Sequence, residues 1–314
     1  MSQSAANVIL VRPTGFRFDP ETADTNEFQR QLSDTDVAQA AAEEFDGLLG
    51  SLRQCGIGIT VLDPFDLKAP NAVFPNNWFS THADGTVVLY PMCTLSRRAE
   101  RDPDLARSLA REGFRIGTVV DLSAWEHQGK ILEGTGSLVL DRVKKRAFAC
   151  LSPRTHESAL SAWSERFGYT PIAFTATMDG RLNGQPVYHT NVIMSIAMRF
   201  AVVCFEAMPY PAERQEVEEE LAKSGREVIA ISLTQMHEYV GNLLELKGVE
   251  PGPSRSEASF TFLSETAFHA LQPHQRIALE RHTQLIPVPI PTIETVGGGS
   301  VRCMLAENFL EAVR

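Results

Sequence analysis

Cysteine is scarce and unpaired in this chain. Cys55, Cys93, Cys150, Cys204 and Cys303 are scattered through 314 residues with no Cys-x-x-Cys spacing, so neither a disulfide framework nor a zinc cluster is expected. Basic residues are outnumbered, with 29 Lys+Arg against 39 Asp+Glu, a net charge of −10 and a pI of about 5.4. The sequence therefore lacks the basic face that nucleic-acid binding needs and the polybasic stretch that an anionic membrane surface attracts. Long apolar runs are missing too: Asn191 to Met198 and Phe200 to Phe205 fall far short of the roughly 20 residues of a membrane helix. Met1-Ser2-Gln3-Ser4 has neither the basic start nor the apolar stretch of a signal peptide, which leads to a cytoplasmic expectation. No P-loop, dinucleotide fingerprint or His-Glu-x-x-His motif occurs. Low-complexity tracts and long linkers are absent, and the Pro/Gly patches, Pro251-Gly252-Pro253 and Pro287 to Pro291, are short.

What is present is a core-forming composition, 43% hydrophobic and 22% charged, in a chain long enough for one large domain or two small ones. Runs rich in Val, Ile and Phe alternate with helical segments, which reads as mixed α/β. Helices are expected over residues 36–55, 103–112, 155–167, 211–224 and 273–282, with Pro103, Pro211 and Pro273 near helix starts, where proline is tolerated. The charge run from Glu213 to Glu220 reads as a solvated helix face. Paired strands are expected at 77–82 with 86–92, 136–140 with 147–151, 191–196 with 200–205, and 242–246 with 259–263. Each unit reads strand, turn, strand, helix, then a short buried strand such as 115–120 or 228–233. A ββαβ unit of some 50 to 60 residues, repeated along the chain, is the organising pattern.

That repeat bears on chemistry. Asn77 and Glu133 are 56 residues apart, Glu133 and His189 are again 56 apart, and His189 and Cys303 are 114 apart, about two repeats. Equivalent places in a circular array converge near its axis, so an Asn, a Glu, a His and a Cys are brought towards one centre. Cys303 lies just beyond Gly297-Gly298-Gly299, a run too costly in backbone entropy for a helix or strand interior. Beside Arg302 it reads as a nucleophilic thiol; on this local signal a buried Cys after a flexible link is the plainer reading. His189 heads an apolar strand in which it and Asn191, two apart, would face the same side. A structural histidine there is the plainer reading. Glu133, between an apolar pair and two glycines, needs a charged or hydrogen-bonding partner if buried; a capped turn with an exposed Glu is its alternative. Asn76 and Asn77 sit inside an apolar stretch, where tandem Asn also marks a turn. His82, His127 and His156 have no metal-like spacing and are read as structural.

Taken together, Pro70 to Asn77, Leu132-Glu133-Gly134, His189-Thr190-Asn191 and Gly297 to Cys303 resemble the guanidino-group modifying superfamily, the pentein fold. Leu151-Ser152-Pro153-Arg154-Thr155 resembles the segment that opens the helix after the second hairpin in its dimethylarginine enzymes. The resemblance implies a single amidinotransferase-like catalytic domain over 1–314, an α/β propeller with five-fold pseudosymmetry, built from ββαβ units around a central site. It implies Cys303 as nucleophile on a guanidino or ureido carbon, His189 as general acid/base, Glu133 as partner of substrate or of His189, and Arg97 as clamp on a substrate α-carboxylate. A solvated Arg97-Arg98 pair is the alternative for Arg97. No metal or organic cofactor is implied; the implied partner is a small amino-acid substrate. A homo-oligomer is compatible with the composition, because sequence does not separate apolar surface from core.

The departures from the superfamily carry the substrate reading. Its arginine-using members place Asp where Asn77 stands, and many place Asp where Asn191 stands; Asn76 also replaces a frequent acid. Those carboxylates grip a cationic guanidinium. An amide offers both a donor and an acceptor, which suits a neutral ureido group. The pattern looks like that of the citrulline ureidases and implies hydrolysis of L-citrulline to L-ornithine, ammonia and carbon dioxide. Two rival readings are a deiminase or amidinohydrolase whose missing carboxylates come from Asp63 or Asp66, and a non-catalytic pentein used as a binding module. Arg146, Arg154 and Arg302 are further candidates for contacts to the substrate's α-carboxylate.

Overall fold

A computed structural model describes residues 2–33, 36–250 and 256–313. The Pro251-Gly252-Pro253 turn lies outside the described residues. These residues form five three-stranded sheets with a common plan. In the first, Phe79–Thr81 runs antiparallel to Thr86–Leu89, which pairs in parallel with Thr118–Asp121 after the Leu105–Arg111 helix. The second joins Val139–Asp141, Arg146–Cys150 and Thr170–Phe174 around the Glu157–Phe167 helix. The third joins Met194–Ile196, Phe200–Val203 and Glu227–Ala230 around Pro211–Lys223. The fourth joins Leu244–Val249, Glu257–Ser264 and Gln284–Val288 around Pro273–Glu280. The fifth is assembled from sequence-distant pieces: Ala306–Asn308 pairs antiparallel with Asn7–Val11, which pairs in parallel with Gly58–Leu62. The expected ββαβ repeat is thus present five times.

Helix positions follow from local chemistry. In Val37–Gln54 the Asp36 side chain accepts from the Gln39 backbone N–H, satisfying one orphan donor of the first turn. Ala41, Phe45, Leu48, Leu49 and Leu52 recur at helical spacing and are buried, each large apolar side chain contributing about 1.5–3 kcal/mol. Pro211 and Pro273 sit at the first helical positions, as expected, whereas the third helix to begin near a proline starts at Leu105, after Pro103.

Two expectations need correction. The third strand of each unit was expected to be buried, but Thr118–Asp121 and Glu227–Ala230 bury only Val120 and Ile229. Each is the outer edge of its sheet, so only one side meets a helix. The strands expected to begin at Asn77, Gly136 and Asn191 begin later. Single helical turns precede them, Pro75–Asn77, Gly134–Ser137 and Thr190–Ile193, and a fourth such turn is Val301–Met304. His189 is therefore the residue capping a helical turn, and strand alternation does not relate it to Asn191. The 134–137 turn packs on both 75–77 and 190–193, and 301–304 packs on 75–77. These turns, each at the inner end of a sheet, gather the candidate residues. No helix among the described residues is long and apolar enough to cross a membrane.

Candidate active site

Glu133 and His189 meet, as their repeat spacing anticipated: His189 Nε2 lies 2.8 Å from Glu133 Oε2, both side chains almost wholly buried. Glu133 Oε1 accepts from the Cys93 backbone N–H at 2.9 Å, and Arg154 Nη1 stands 3.7 Å from Oε2. Burial alone would raise the Glu133 pKa, but Arg154 and the hydrogen bond from His189 bring it down to about 2. Burial presses His189 down to about 4 against the pull of Glu133. The carboxylate is ionised and the imidazole neutral at pH 7. Nε2–H then donates to Glu133, and Nδ1 carries the lone pair that can take a proton. Nδ1 lies over Gly136, where a Cβ would stand only 2.8 Å away.

Cys303 is 4% exposed, and two amides converge on its sulfur. Asn191 Nδ2 donates to Sγ at 3.5 Å and Asn242 Nδ2 at 3.3 Å. Cys150 and Cys204 are buried among apolar neighbours, which pushes both up to about 12. Asn77 is buried next to Gly136, accepts from Arg97 Nη2 at 3.0 Å, and leaves its Nδ2 without a partner. Asn191 Oδ1 and both polar atoms of the Asn76 side chain are likewise buried and unpartnered. Such groups are costly unless something polar meets them. Here they form a set of donors and acceptors on the helical turns around Cys303 and His189.

Arg97 is buried, not a solvated residue, and its Nε binds Glu100 at 2.5 Å. Burial lifts Glu100 to about 7 despite Arg97. Arg154 does not offer itself to a substrate: it stacks over Tyr188, approaches Glu133, and donates to Thr22 O and Thr25 Oγ1. Arg302 turns to Leu305 O and Glu307, and Arg146 pairs with Glu220 near the surface. Asp63 faces solvent beside Arg12, and Asp66 caps its own exposed turn, so neither supplies a carboxylate to this site. The nearby acids are instead Glu133, Glu100 and Asp19, which accepts from Asn71 and Ser96. His82 is structural as expected, stacked on Phe167 and bonded to Ser80.

A strap formed by residues 19–30 is bonded to the triglycine segment that precedes Cys303. Asn26 Nδ2 donates to Gly298 O, Gln29 Nε2 to Gly297 O, and the Arg30 N–H to Thr295 O. Tyr188 Oη donates to Gly298 O from the other side at 2.6 Å. The triglycine is a tightly held turn: Gly298 has φ +64°, and a Cβ there would lie 2.5 Å from Asn26 Nδ2. Asn242 and the strap were not anticipated. Asn242 had a signal, because it heads the fourth hairpin as Asn77 and Asn191 head theirs; the strap, irregular over most of its length, had none.

Five small sheets in a ring with a buried Cys, His and Glu on their inner turns define a pentein of the guanidino-group modifying superfamily. More narrowly, the chain belongs to the family described as N,N dimethylarginine dimethylhydrolase, eukaryotic, whose model matches residues 12–310. No curated protein matches the sequence. Among solved structures, ArgZ without ligand, an arginine dihydrolase from the ornithine-ammonia cycle in cyanobacteria, superposes with a TM-score of 0.73 at 14% identity, covering 98% of this chain and 41% of that one. AgrE with ornithine and NAD+ gives a TM-score of 0.73 at 17% identity over 100% of this chain and 40% of that one. This chain therefore spans about two fifths of their length. A mutant of DDAH from Pseudomonas aeruginosa complexed with citrulline gives 0.62 at 16% identity, over 97% of this chain and 100% of that one.

Proposed function

We propose that residues 1–314 form one catalytic domain that hydrolyses the ureido group of L-citrulline to L-ornithine, ammonia and carbon dioxide. The observation that carries this reading is the set of unpartnered amides, Asn77 Nδ2, Asn191 Oδ1 and both ends of Asn76, beside Cys303 and His189. A neutral urea has one carbonyl to accept and several N–H groups to donate, and these amides offer complementary partners. A guanidinium would find amides where its charge wants carboxylates, losing charge-assisted bonds worth about 1.5–3 kcal/mol each.

In this reading Cys303 Sγ adds to the ureido carbon while the thiol proton passes to the neutral His189. The tetrahedral oxyanion is held by amide N–H donors such as Asn77 Nδ2. Collapse breaks one C–N bond, and His189 returns the proton to the leaving amine. Glu133 stabilises the transient imidazolium. Water, deprotonated by His189, then attacks the S-bound carbamoyl group, breaks the C–S bond and restores the thiol. The released carbamate loses carbon dioxide to give the second amine. Arg97, held by Glu100 beside Asn77, is in this reading the clamp on the substrate carboxylate. The residues so assigned require no further group, and cytoplasmic residence fits this amino-acid chemistry.

Hydrolysis of a guanidino substrate is the second reading, favoured by the family to which the chain belongs and by the ionised Glu133. The test is a product assay on citrulline, arginine, dimethylarginine and agmatine that follows ornithine, ammonia and citrulline separately, with Cys303→Ala as blank. Ornithine and ammonia from citrulline alone are expected. Citrulline formed from a guanidino compound would overturn the ureidase reading, and an active Cys303→Ala would overturn the covalent mechanism.

A further inference from the structure

We infer that Asn242 is a further catalytic residue, touching the reacting sulfur and dedicated to holding it for attack. This deepens the reading of Cys303 as nucleophile and rests on it, without depending on the substrate. The residue sits 1% exposed where the fourth sheet meets the axis. Its amide has three fixed partners: Nδ2 donates to Asn191 O at 3.0 Å and to Cys303 Sγ at 3.3 Å, and Oδ1 accepts from the Arg302 backbone N–H at 3.2 Å. A side chain so anchored on both ends does not rotate, so its N–H stays aimed at the sulfur.

The backbone that delivers it is unusual in the same place. Tyr239 holds φ +59°, a left-handed conformation that a bulky residue seldom adopts, and the Asn242 N–H closes that turn on Tyr239 O at 2.8 Å. Gly241 then passes so close to the third sheet's inner turn that a Cβ would stand 2.3 Å from Val192 O. A strained tyrosine and a glycine that admits no side chain together set the Asn242 amide against Cys303.

The two amides on the sulfur divide the work. Asn191 reaches Sγ at 3.5 Å and keeps its Oδ1 unpartnered, which leaves that oxygen for a substrate N–H. Asn242 keeps neither end for a substrate. Its Oδ1 is 3.7 Å from Sγ, within range of a thiol proton, while its Nδ2–H serves the sulfur once that proton has gone. When the S–C bond forms, the electron pair on sulfur that accepted from Nδ2 is the one shared with carbon; it stays there while the C–N bond breaks, and returns to the same donor when water cleaves the C–S bond. Atoms and charge balance without any other reactant.

The test uses Asn242→Asp, which keeps the shape and the acceptor for the Arg302 N–H but loses both donors, with Asn242→Ala as the second variant. Alkylation of the protein by iodoacetamide is read at Cys303 by peptide mass mapping, since Cys93 is only half-buried and within reach of the reagent. Expected are labelling of Cys303 slowed about tenfold or more in Asn242→Asp and less in Asn242→Ala, and kcat lowered about ten- to a hundredfold with KM within a few-fold. A purely structural Asn242 would leave Asn242→Asp labelling like wild type and move melting temperature and KM instead; that result overturns the inference. Should Asn242→Asp fail to fold, wild-type labelling rates in Asn242→Ala overturn it equally. Labelling involves no substrate, so an inactive wild type with slowed labelling in the variants would sink the citrulline reading and leave this one standing.

Discussion

Replacing Gly136 by Ala tests whether the site is positioned by close packing. A methyl carbon at this position would stand 2.4 Å from Asn77 Nδ2, 2.8 Å from His189 Nδ1 and 2.9 Å from His189 Cε1. Ordinary contact begins near 3.4 Å, so Asn77 must retreat by about 1 Å and the imidazole by roughly 0.6 Å. Neither has slack: Asn77 is bonded to Arg97, and His189 to Glu133 at 2.8 Å. Overpacking of this kind costs about 1–3 kcal/mol, which lowers the melting temperature by roughly 2–10 °C. Misplacement of catalytic groups by about 1 Å costs on the order of a hundredfold in rate. Steady-state ornithine production and a thermal melt of the same sample are the assays. The expected result is kcat down about a hundredfold in a folded protein. A variant within threefold of wild type and melting normally would refute the argument, because Asn77 and His189 would then have been free to move.

Glu133→Gln keeps the shape but removes the charge that faces both His189 and Arg154. With Arg154 left buried beside a neutral amide, stability should fall by about 3–5 kcal/mol, and kcat by a hundredfold or more; equal unfolding curves for variant and wild type would contradict it. Acid stability has a defined sign. Glu133, lowered from 4.5 to about 2, contributes stability that is present above 4.5 and lost as pH falls towards 2. His189, lowered from 6.5 to about 4, is kept neutral by the fold while the unfolded chain takes up a proton, so stability also declines as pH falls from 6.5 to 4. Urea titrations from pH 8 to pH 4 should be flat above about 7 and then fall by about 3 kcal/mol, with the 6.5-to-4 portion missing in His189→Gln.

Much of the ring was legible because its elements are long enough to carry a period. The 36–55 helix differs from Val37–Gln54 only by its caps, since Asp36 and five spaced apolar residues mark it unambiguously. The helical turns that hold the site look like strand starts in the sequence for a physical reason: four residues make barely one turn, too short for a 3.6-residue repeat, and their apolar flanks mimic a strand. The convergence of Glu133 on His189 was visible through spacing, because the repeat converts equal intervals into proximity. Asn242 passed as an ordinary hairpin-head residue, for nothing in sequence shows that Tyr239 turns left-handed before it. Asp63 and Asp66 misled in the opposite way, being close in sequence to the Asn76-Asn77 stretch yet on the outer surface.

The fifth sheet has a temporal consequence. Its inner strand, Ala306–Asn308, lies directly after the turn that bears Cys303, and the strand it must find, Asn7–Val11, was made some 300 residues earlier. A chain emerging from the ribosome in order can assemble four sheets, with their Asn, Glu and His, before the turn that bears the sulfur is fixed among them. Only the final, longest-range pairing docks it between Asn191 and Asn242. The last sheet of the ring to be completed thus carries the residue that starts chemistry, and a ring left one strand short holds a loose thiol and no reaction centre.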